Sequence, residues 1–323
     1  TGDGTTLVRS SVASSVPFIE AYPGGERYLY GDTYSTASLL ILGSSTVVVT
    51  NGQIFNGSAF GIFCSSGRFE TRGSTSLTAP LTLRAGSLRA NGGTLTYSRT
   101  GNPKFSSDYN CSLETAGPSD QIVFNTAVQD DFGHAFGATL INGPGTVVLN
   151  AGDTGPNRYL GSWLLLDGTL KLNHPSALGG NWIRLSAGTV MTGVDGGGAF
   201  ASSCLVDGNA TIVIGRQTPG STVSNYFGTL LVGTLGVPST LTARPGAGVS
   251  PGGIAQLSFG NVDLGYANQS FRIQNQAGAN CQMVFNGVVG DSYGPQALVK
   301  DGDGGMLLLA ANTYRGGTVL SNG

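Results

Sequence analysis

The residues of this sequence that could support catalysis are a few carboxylates and a histidine. Asp130 and Asp131 are adjacent and are followed by His134, which supplies the residue types that acid–base cleavage of a polysaccharide requires. Neighbouring residues of a strand, however, point to opposite faces, so two adjacent aspartates are poorly placed to act on one bond. We therefore expect no catalytic site at this position.

A metal site is the other chemistry that the residue types could offer. Asp301 and Asp303 lie on either side of a glycine, as acidic residues do in calcium-binding turns, but they lack the spacing of the calcium-binding nonapeptide repeat. His134 and His174 are the two histidines, and no cysteine lies at a spacing that would complete a zinc site with them. We expect no metal, no other cofactor and no convergence of these side chains in one cleft.

The composition narrows the class of protein. Glycine supplies 53 of the 323 residues, and charged residues make up 11% of the chain, against about 25% in an ordinary globular domain. The hydrophobic share of 40% is too high for a disordered chain. With a net charge of −2 and no basic stripe, we expect neither nucleic acid nor an anionic membrane as a partner. No apolar run approaches the ~18 residues of a membrane span, so we expect no membrane insertion.

The elements that would position these residues are short apolar strands separated by glycine corners. Val47–Val49 is one such strand, and Asn-Gly pairs mark several corners, where the backbone needs a positive φ. The clearest repeats occupy residues 75–99, 138–190, 241–264 and 297–323. No stretch shows the 3.6-residue periodicity of a long amphipathic helix. The sequence therefore predicts an all-β fold with negligible α-helix: a single-stranded parallel β-helix (β-solenoid) that forms one domain over residues 1–323.

The last of these repeats resembles a known family. Residues 297–323 follow the pattern L-x-K-x-G-x-G-x-L-x-L-x-x-x-N-T-Y-x-G-G-T-x-[VIL]-x-x-G of the autotransporter-associated β-strand repeat, which occurs in bacterial autotransporter passenger domains. The matching positions are Lys300, Gly302, Gly304, Leu307, Leu309, Asn312, Thr313, Tyr314, Gly316, Gly317, Thr318 and Gly323. Gly305 departs from the pattern, since threonine is commoner there. The resemblance implies an exported bacterial β-helix, extracellular or at the cell surface, with a structural or adhesive role. We expect a right-handed solenoid, although the pattern alone does not set the hand.

The solenoid fold makes predictions for the core and for the cysteines. We expect seven apolar side chains to point inward in stacked ladders: Leu166, Leu170, Leu172, Ile183, Leu185, Leu307 and Leu309. Cys64, Cys111, Cys204 and Cys281 permit two disulfides. With roughly 20–25 residues and about 4.8 Å per rung, Cys64 and Cys111 would lie about two rungs apart, beyond the reach of a disulfide. We favour buried, unpaired thiols, and disulfides within or between chains are the alternative.

The function that we predict is structural. A solenoid rung has matching edges above and below, so copies could stack end to end, and the protein would be the subunit of a self-assembling fibre or filament. The alternative is a monomeric autotransporter passenger segment that acts as an adhesin or stalk, with cell-surface glycans or a host or neighbouring surface as its partner. A polysaccharide-active β-helix enzyme is a third hypothesis, and turnover of a uronate polymer would identify it. The chain begins at Thr1 without Met and stops within a rung, so we expect a piece of a longer protein or the unit of a polymer.

Overall fold

The computed structural model of the chain describes residues 6–9, 18–21, 26–30, 33–34, 38–50, 54–55, 61–131, 137–156, 158–233, 236 and 238–322. Within these ranges the chain forms strands, turns and corners and no helix, which confirms the all-β prediction. It follows that no helix there could span a membrane. The contacts between residues divide the chain into two compact units, Thr1–Ser162 and Trp163–Gly323, which are described in turn. The prediction of one continuous domain stays a prediction.

The first unit is built from short strands, most of them two to five residues long. In chain order they are β1 (Thr6–Arg9), β2 (Phe18–Ala21), β3 (Glu26–Tyr30), β4 (Thr33–Tyr34), β5 (Ser38–Leu42), β6 (Thr46–Thr50), β7 (Ile54–Phe55), β8 (Ile62–Ser65), β9 (Arg68–Arg72), β10 (Thr75–Leu77), β11 (Leu81–Arg84), β12 (Ser87–Asn91), β13 (Thr94–Tyr97), β14 (Lys104–Phe105), β15 (Cys111–Thr115), β16 (Gln121–Phe124), β17 (Gln129–Asp130), β18 (Ala138–Asn142) and β19 (Thr146–Leu149).

These strands form three parallel sheets, and each rung of the solenoid contributes one strand to each sheet. Sheet 1 has the order β1-β3-β6-β9-β12-β15-β18, sheet 2 has β4-β7-β10-β13-β16-β19, and sheet 3 has β2-β5-β8-β11-β14-β17. The chain passes from sheet 3 to sheet 1 to sheet 2 and then starts the next rung, as β8, β9 and β10 do. The predicted parallel β-solenoid with three strands per rung is therefore confirmed for this unit.

The core of the first unit consists of inward ladders that repeat from rung to rung. In sheet 1, Phe69 is in register with Val47 on one side and Leu88 on the other, and all three side chains are buried. Register partners lie 19 residues apart between Phe69 and Leu88 and 28 apart between Leu113 and Ile141. The corners absorb this variation in rung length, because the strands must keep alternate residues on the core face.

One predicted strand of the first unit is divided in the structure. We expected a single strand from Leu77 to Leu83, whereas β10 ends at Leu77 and β11 begins at Leu81. Pro80 explains the break, because it has no N–H to donate and it restricts the backbone of the residue before it. Its carbonyl still accepts a hydrogen bond from the N–H of Ile62 at 2.8 Å, so the corner joins the adjacent rung.

The second unit has longer strands as well as short ones. They are β20 (Ser162–Leu165), β21 (Thr169–Leu172), β22 (Ile183–Leu185), β23 (Thr189–Gly193), β24 (Gly197–Val206), β25 (Ala210–Gly215), β26 (Gly220–Val232), β27 (Thr240–Pro245), β28 (Val249–Phe259), β29 (Val262–Asp263), β30 (Gln269–Ile273), β31 (Asn280–Phe285), β32 (Val289–Gly290), β33 (Leu298–Asp301), β34 (Gly305–Leu308) and β35 (Thr318–Leu320).

Two parallel sheets enclose the core of the second unit. One has the order β20-β22-β24-β26-β28-β31-β34, with β29 beside β26 and β32 beside β29, and the other has β21-β23-β25-β27-β30-β33-β35. A column of buried aromatic rings follows the first sheet. Phe227 lies 5.4 Å from Phe200 and 6.4 Å from Phe259, measured between ring centroids, and Phe259 lies 6.1 Å from Phe285.

The predicted inward residues of the second unit are partly correct. Leu170, Leu172, Ile183 and Leu185 are buried, as expected, and Leu166 is half-buried just beyond the end of β20. Leu307 and Leu309 were predicted to point inward, and this was wrong, because both are exposed. The register pairs Met306 with Met283 and Leu308 with Phe285, so Met306 and Leu308 continue the buried ladders. A shift of one residue exchanges the two faces of a strand.

The four cysteines are buried and unpaired, which confirms the favoured interpretation over disulfides. Burial raises the pKa of the Cys111 thiol to about 11 and that of the Cys204 and Cys281 thiols to about 12, and it also raises the pKa of Cys64. Thiols with raised pKa values are poor nucleophiles and poor metal ligands near neutral pH. These cysteines act as small apolar side chains of the core.

Candidate functional site

The two adjacent aspartates of the first unit bind different partners. The Asp131 carboxylate pairs with the Arg84 guanidinium at 2.5 Å, and Asp130 Oδ2 accepts a hydrogen bond from the backbone N–H of Leu160 at 3.1 Å. His134 lies outside the described residues. Both carboxylates thus hold neighbouring segments of the chain in place.

The acidic residues of the second unit that we considered for metal binding are also held by the chain itself. Asp301 pairs with Arg272 at 2.7 Å, and this hydrogen bond together with the Arg272 charge lowers the pKa of the Asp301 carboxyl. Asp303 Oδ1 accepts a hydrogen bond from the N–H of Asn275 at 2.8 Å. His174 Nδ1 accepts a hydrogen bond from the N–H of Ser176 in a turn. Across the described ranges, no three His, Cys, Asp or Glu side chains are grouped so that they could hold a metal ion.

A buried carboxylate organises the outer face of sheet 1 in the first unit. Glu70 is 3% exposed and accepts hydrogen bonds from Arg72 at 2.9 Å and from Asn91 at 3.0 Å, with Arg89 at 3.8 Å. Burial alone would raise the pKa of Glu70, but these hydrogen bonds and the two positive charges outweigh it, so the pKa lies below its ordinary value. Sequence analysis missed this group because its partners come from two successive rungs.

The most developed depression on the first unit lies where sheet 3 turns into sheet 1. Two successive corners are short, with Ser66–Gly67 and Ala85–Gly86 as their two residues, whereas the corners on either side are longer, at residues 43–45 and 106–110. The two short corners form the floor of a depression, and the two long corners form its walls. We call this depression the corner groove.

The tight bend of the floor depends on its backbone conformation. Ser66 and Ala85 have positive φ values of 64° and 53°, which are uncommon for residues other than glycine. The following glycines leave no room for a side chain, since a Cβ on Gly67 would lie 2.4 Å from the Cγ2 atom of Ile41 and one on Gly86 would lie 2.7 Å from the Cβ atom of Cys64. Strained corners of this kind persist where the surrounding structure fixes them, and they are frequent at functional sites.

The corner groove contains two adjoining cavities that share Ser66 and Ala85. The cavity beside sheet 1 has a volume of about 420 Å³ and is lined by polar side chains that include Arg68, Ser87 and Glu114. The cavity beside sheet 3 has a volume of about 510 Å³, and its lining includes Arg84, Asp108 and Tyr109. Within the lining, Arg68 pairs with Glu114 at 3.0 Å and donates to Ser87 Oγ at 3.3 Å. The sequence carried only a weak signal for the groove, the repeated small-residue–Gly corners.

On the second unit, two exposed tyrosines from successive rungs stack on each other. The ring centroids of Tyr266 and Tyr293 lie 4.0 Å apart. Asp263 Oδ1 accepts hydrogen bonds from the N–H groups of both Gly265 and Ser292, at 3.1 and 3.2 Å, so one carboxylate fixes both loops. This pair supplies a matched reference for the exposed tyrosine of the corner groove.

The last rung that the structure describes carries exposed apolar side chains, namely Leu307, Leu309, Val319 and Leu320. It also contains Lys300, which is buried and lies in register with Phe271 of the preceding rung. Its Nζ donates hydrogen bonds to the carbonyl oxygens of Gly302 and Asn322. The lysine of the repeat motif thus fixes two successive corners.

Comparison with known proteins adds no relative. No protein-family model matches the chain, and neither does any curated protein or solved structure.

Proposed function

We propose that this protein is a structural, non-catalytic β-solenoid that stacks end to end with copies of itself into a filament outside the cell. The observation that carries the proposal is the open edge of the rung formed by β33, β34 and β35. The edge shows the same parallel pattern by which every preceding rung pairs with the next, so it can accept a rung of another copy. The resemblance of residues 297–323 to autotransporter repeats supports the extracellular location.

The backbone geometry of β35 shows which groups would form the junction. Gly317 O accepts a hydrogen bond from Leu298 N, and Ser321 N donates one to Lys300 O, so these residues face β33. Because backbone groups alternate between the two sides of a strand, the N–H and C=O of Leu320 face away from β33. The side chain of Leu320 is 71% exposed, and a further rung would both bury it and bond these backbone groups.

The low charge of the chain removes one barrier to such stacking. Edge strands of soluble proteins are commonly protected by charged side chains, whereas Thr318, Val319 and Leu320 carry none. Such a contact joins two different surfaces, so it does not close on itself and continues into a filament. The carboxylates in structural hydrogen bonds favour a non-catalytic role, because a general acid or base must be available to substrate.

Sedimentation velocity over a concentration series tests this function. A filament subunit gives species that grow with concentration well beyond a dimer. A chain that sediments as a monomer at every concentration would favour the other hypothesis, a passenger segment whose next rung comes from further residues of the same polypeptide.

A further inference from the structure

We propose that the corner groove of the first unit binds an uncharged oligosaccharide. This function is separate from filament assembly, because the groove lies on the side of the solenoid and not at its open rung. The proposal depends on the shape of the groove, the balance of charge in its lining and one exposed aromatic ring.

The shape of the groove suits a short chain of sugar rings. Its two cavities, of about 420 and 510 Å³, meet over Ser66 and Ala85, and each lies within the size range of small-molecule sites. The long corners at 43–45 and 106–110 close it along the solenoid axis. A ligand in both cavities would therefore cross the edge between sheet 3 and sheet 1.

The polar lining matches a ligand rich in hydroxyl groups. Ser44, Ser66, Ser87 and Ser112 each provide a hydroxyl that can donate and accept, and Asn110 adds an amide. Sugar hydroxyls likewise donate and accept, so they can exchange their water contacts for these groups with little loss.

The charge of the lining argues against an ionic ligand. The two guanidinium groups, of Arg68 and Arg84, are matched by the carboxylates of Asp108 and Glu114 in the same lining. Arg68 and Arg84 are also engaged in ion pairs, with Glu114 at 3.0 Å and with Asp131 at 2.5 Å. An anionic polymer would meet as many negative as positive groups, so an uncharged sugar fits the lining better.

Tyr109 supplies the apolar surface that a sugar ring requires. Its side chain is 55% exposed, and it lines the cavity beside sheet 3. The C–H groups of a pyranose form an apolar face, which packs on an aromatic ring while the hydroxyls at its rim reach polar groups. An ordered tyrosine has few rotatable bonds, so little entropy is lost when it makes this contact.

The surrounding structure disfavours a peptide as the ligand. A peptide that adds a strand needs a free sheet edge, but β9 and β12 beside the groove are each paired on both sides. The floor of the groove is also held rigid by the positive-φ corners at Ser66 and Ala85. A preformed polar site of this kind binds without a large ordering cost.

Saturation-transfer NMR and titration calorimetry on the whole chain test the proposal. The probes are maltotriose, cellotriose, mannotriose and triacetylchitotriose, with trigalacturonate as the anionic comparison and a proline-rich peptide as the peptide comparison. Two variants alter the groove: Tyr109→Ala removes the ring, and Ser87→Trp fills the cavity beside sheet 1. The matched control is Tyr293→Ala, which removes a tyrosine of similar exposure (48%) on the second unit. Circular dichroism confirms that each variant is folded.

We expect at least one neutral trisaccharide to bind with a Kd of about 1 mM or tighter, and each groove variant to weaken it by about tenfold or more. Tyr293→Ala should leave the affinity unchanged. Four results would overturn the proposal: no neutral trisaccharide binds at about 10 mM; both groove variants keep the wild-type affinity; trigalacturonate or the peptide binds more tightly than every neutral sugar; or Tyr293→Ala abolishes binding, which would place the site at the tyrosine pair.

Discussion

The Nζ atom of Lys300 lies 3.0 Å from the backbone oxygen of Asn322, and the same ammonium group donates to the carbonyl of Gly302. One buried lysine therefore joins the corner of its own rung to the corner of the next. Within the motif that residues 297–323 share with autotransporter repeats, this contact gives the lysine a physical role: it supplies donors to carbonyl groups that the tight glycine corners leave without partners.

The first prediction follows from this contact. Lys300→Met keeps most of the side-chain volume and removes the donors, so the rung should lose about 1.5 kcal/mol of stability. Hydrogen exchange at the amide of Ser321, which donates to Lys300 O, measures the loss. Lys171→Met is the control, because Lys171 is half-buried on the outer side of β21 and its replacement should change stability by less than about 0.5 kcal/mol. Equal effects of the two variants would show that the ammonium does not support the corner.

The second prediction concerns the aromatic column of the second unit. Phe227→Ala should cost about 3–5 kcal/mol, because the ring is fully buried between Phe200 and Phe259 and its loss leaves a cavity. Tyr226→Ala alters the adjacent, exposed residue of the same strand and should cost less than about 1 kcal/mol. Denaturant unfolding of both variants gives the comparison, and a larger effect at Tyr226 would place the wrong face of β26 inward.

The third prediction tests the register of β34. Leu308→Asp puts a carboxylate into the ladder of Phe285 and should unfold the rung, since an unpaired buried charge costs several kcal/mol. Leu307→Asp, one residue earlier, should be tolerated because Leu307 is exposed. Hydrogen exchange along β34 and β35 separates the two outcomes. Loss of protection in Leu307→Asp with a native Leu308→Asp variant would restore the arrangement that the sequence predicted.

The fourth prediction uses the pH dependence of stability. The folded pKa of Glu70 lies below its ordinary value of 4.5, so its contribution to stability is present above pH 4.5 and is lost as the pH falls through the folded pKa. The difference in Tm between the wild type and Glu70→Gln should therefore be largest at neutral pH and shrink below pH 4.5. A difference that stays constant down to pH 3 would show that the Glu70 charge adds nothing to the lattice.

The strands and corners could be predicted because each depends on local chemistry. Glycine corners and apolar runs identified the solenoid, and the thiols are buried as the lack of disulfide geometry indicated. The face of Met306–Leu309 could not be predicted, because four consecutive apolar residues show no alternation that would fix the inward side. Residues 101–120 were interpreted as an irregular loop, although Cys111–Thr115 alternates and forms β15.

The corner groove and the Glu70 cluster could not be predicted for a different reason. Both depend on residues that are separated by a full rung, and their contact follows from the exact number of residues in each rung. Ser66 and Ala85 adjoin only because the rungs that contain them have short corners. Without that register, the sequence indicates which residues turn the chain but not which corners lie side by side.

The measurement that tests filament assembly most directly is negative-stain electron microscopy of three matched proteins. We expect the wild type to form fibres, and Leu320→Pro to form none, because proline removes the N–H that faces the open edge. Val319→Ser replaces an exposed side chain of the same strand, where the backbone faces β33, and should leave fibres intact. Micrographs of the wild type that show only single particles at high concentration, or fibres that persist unchanged in Leu320→Pro, would contradict assembly through this rung.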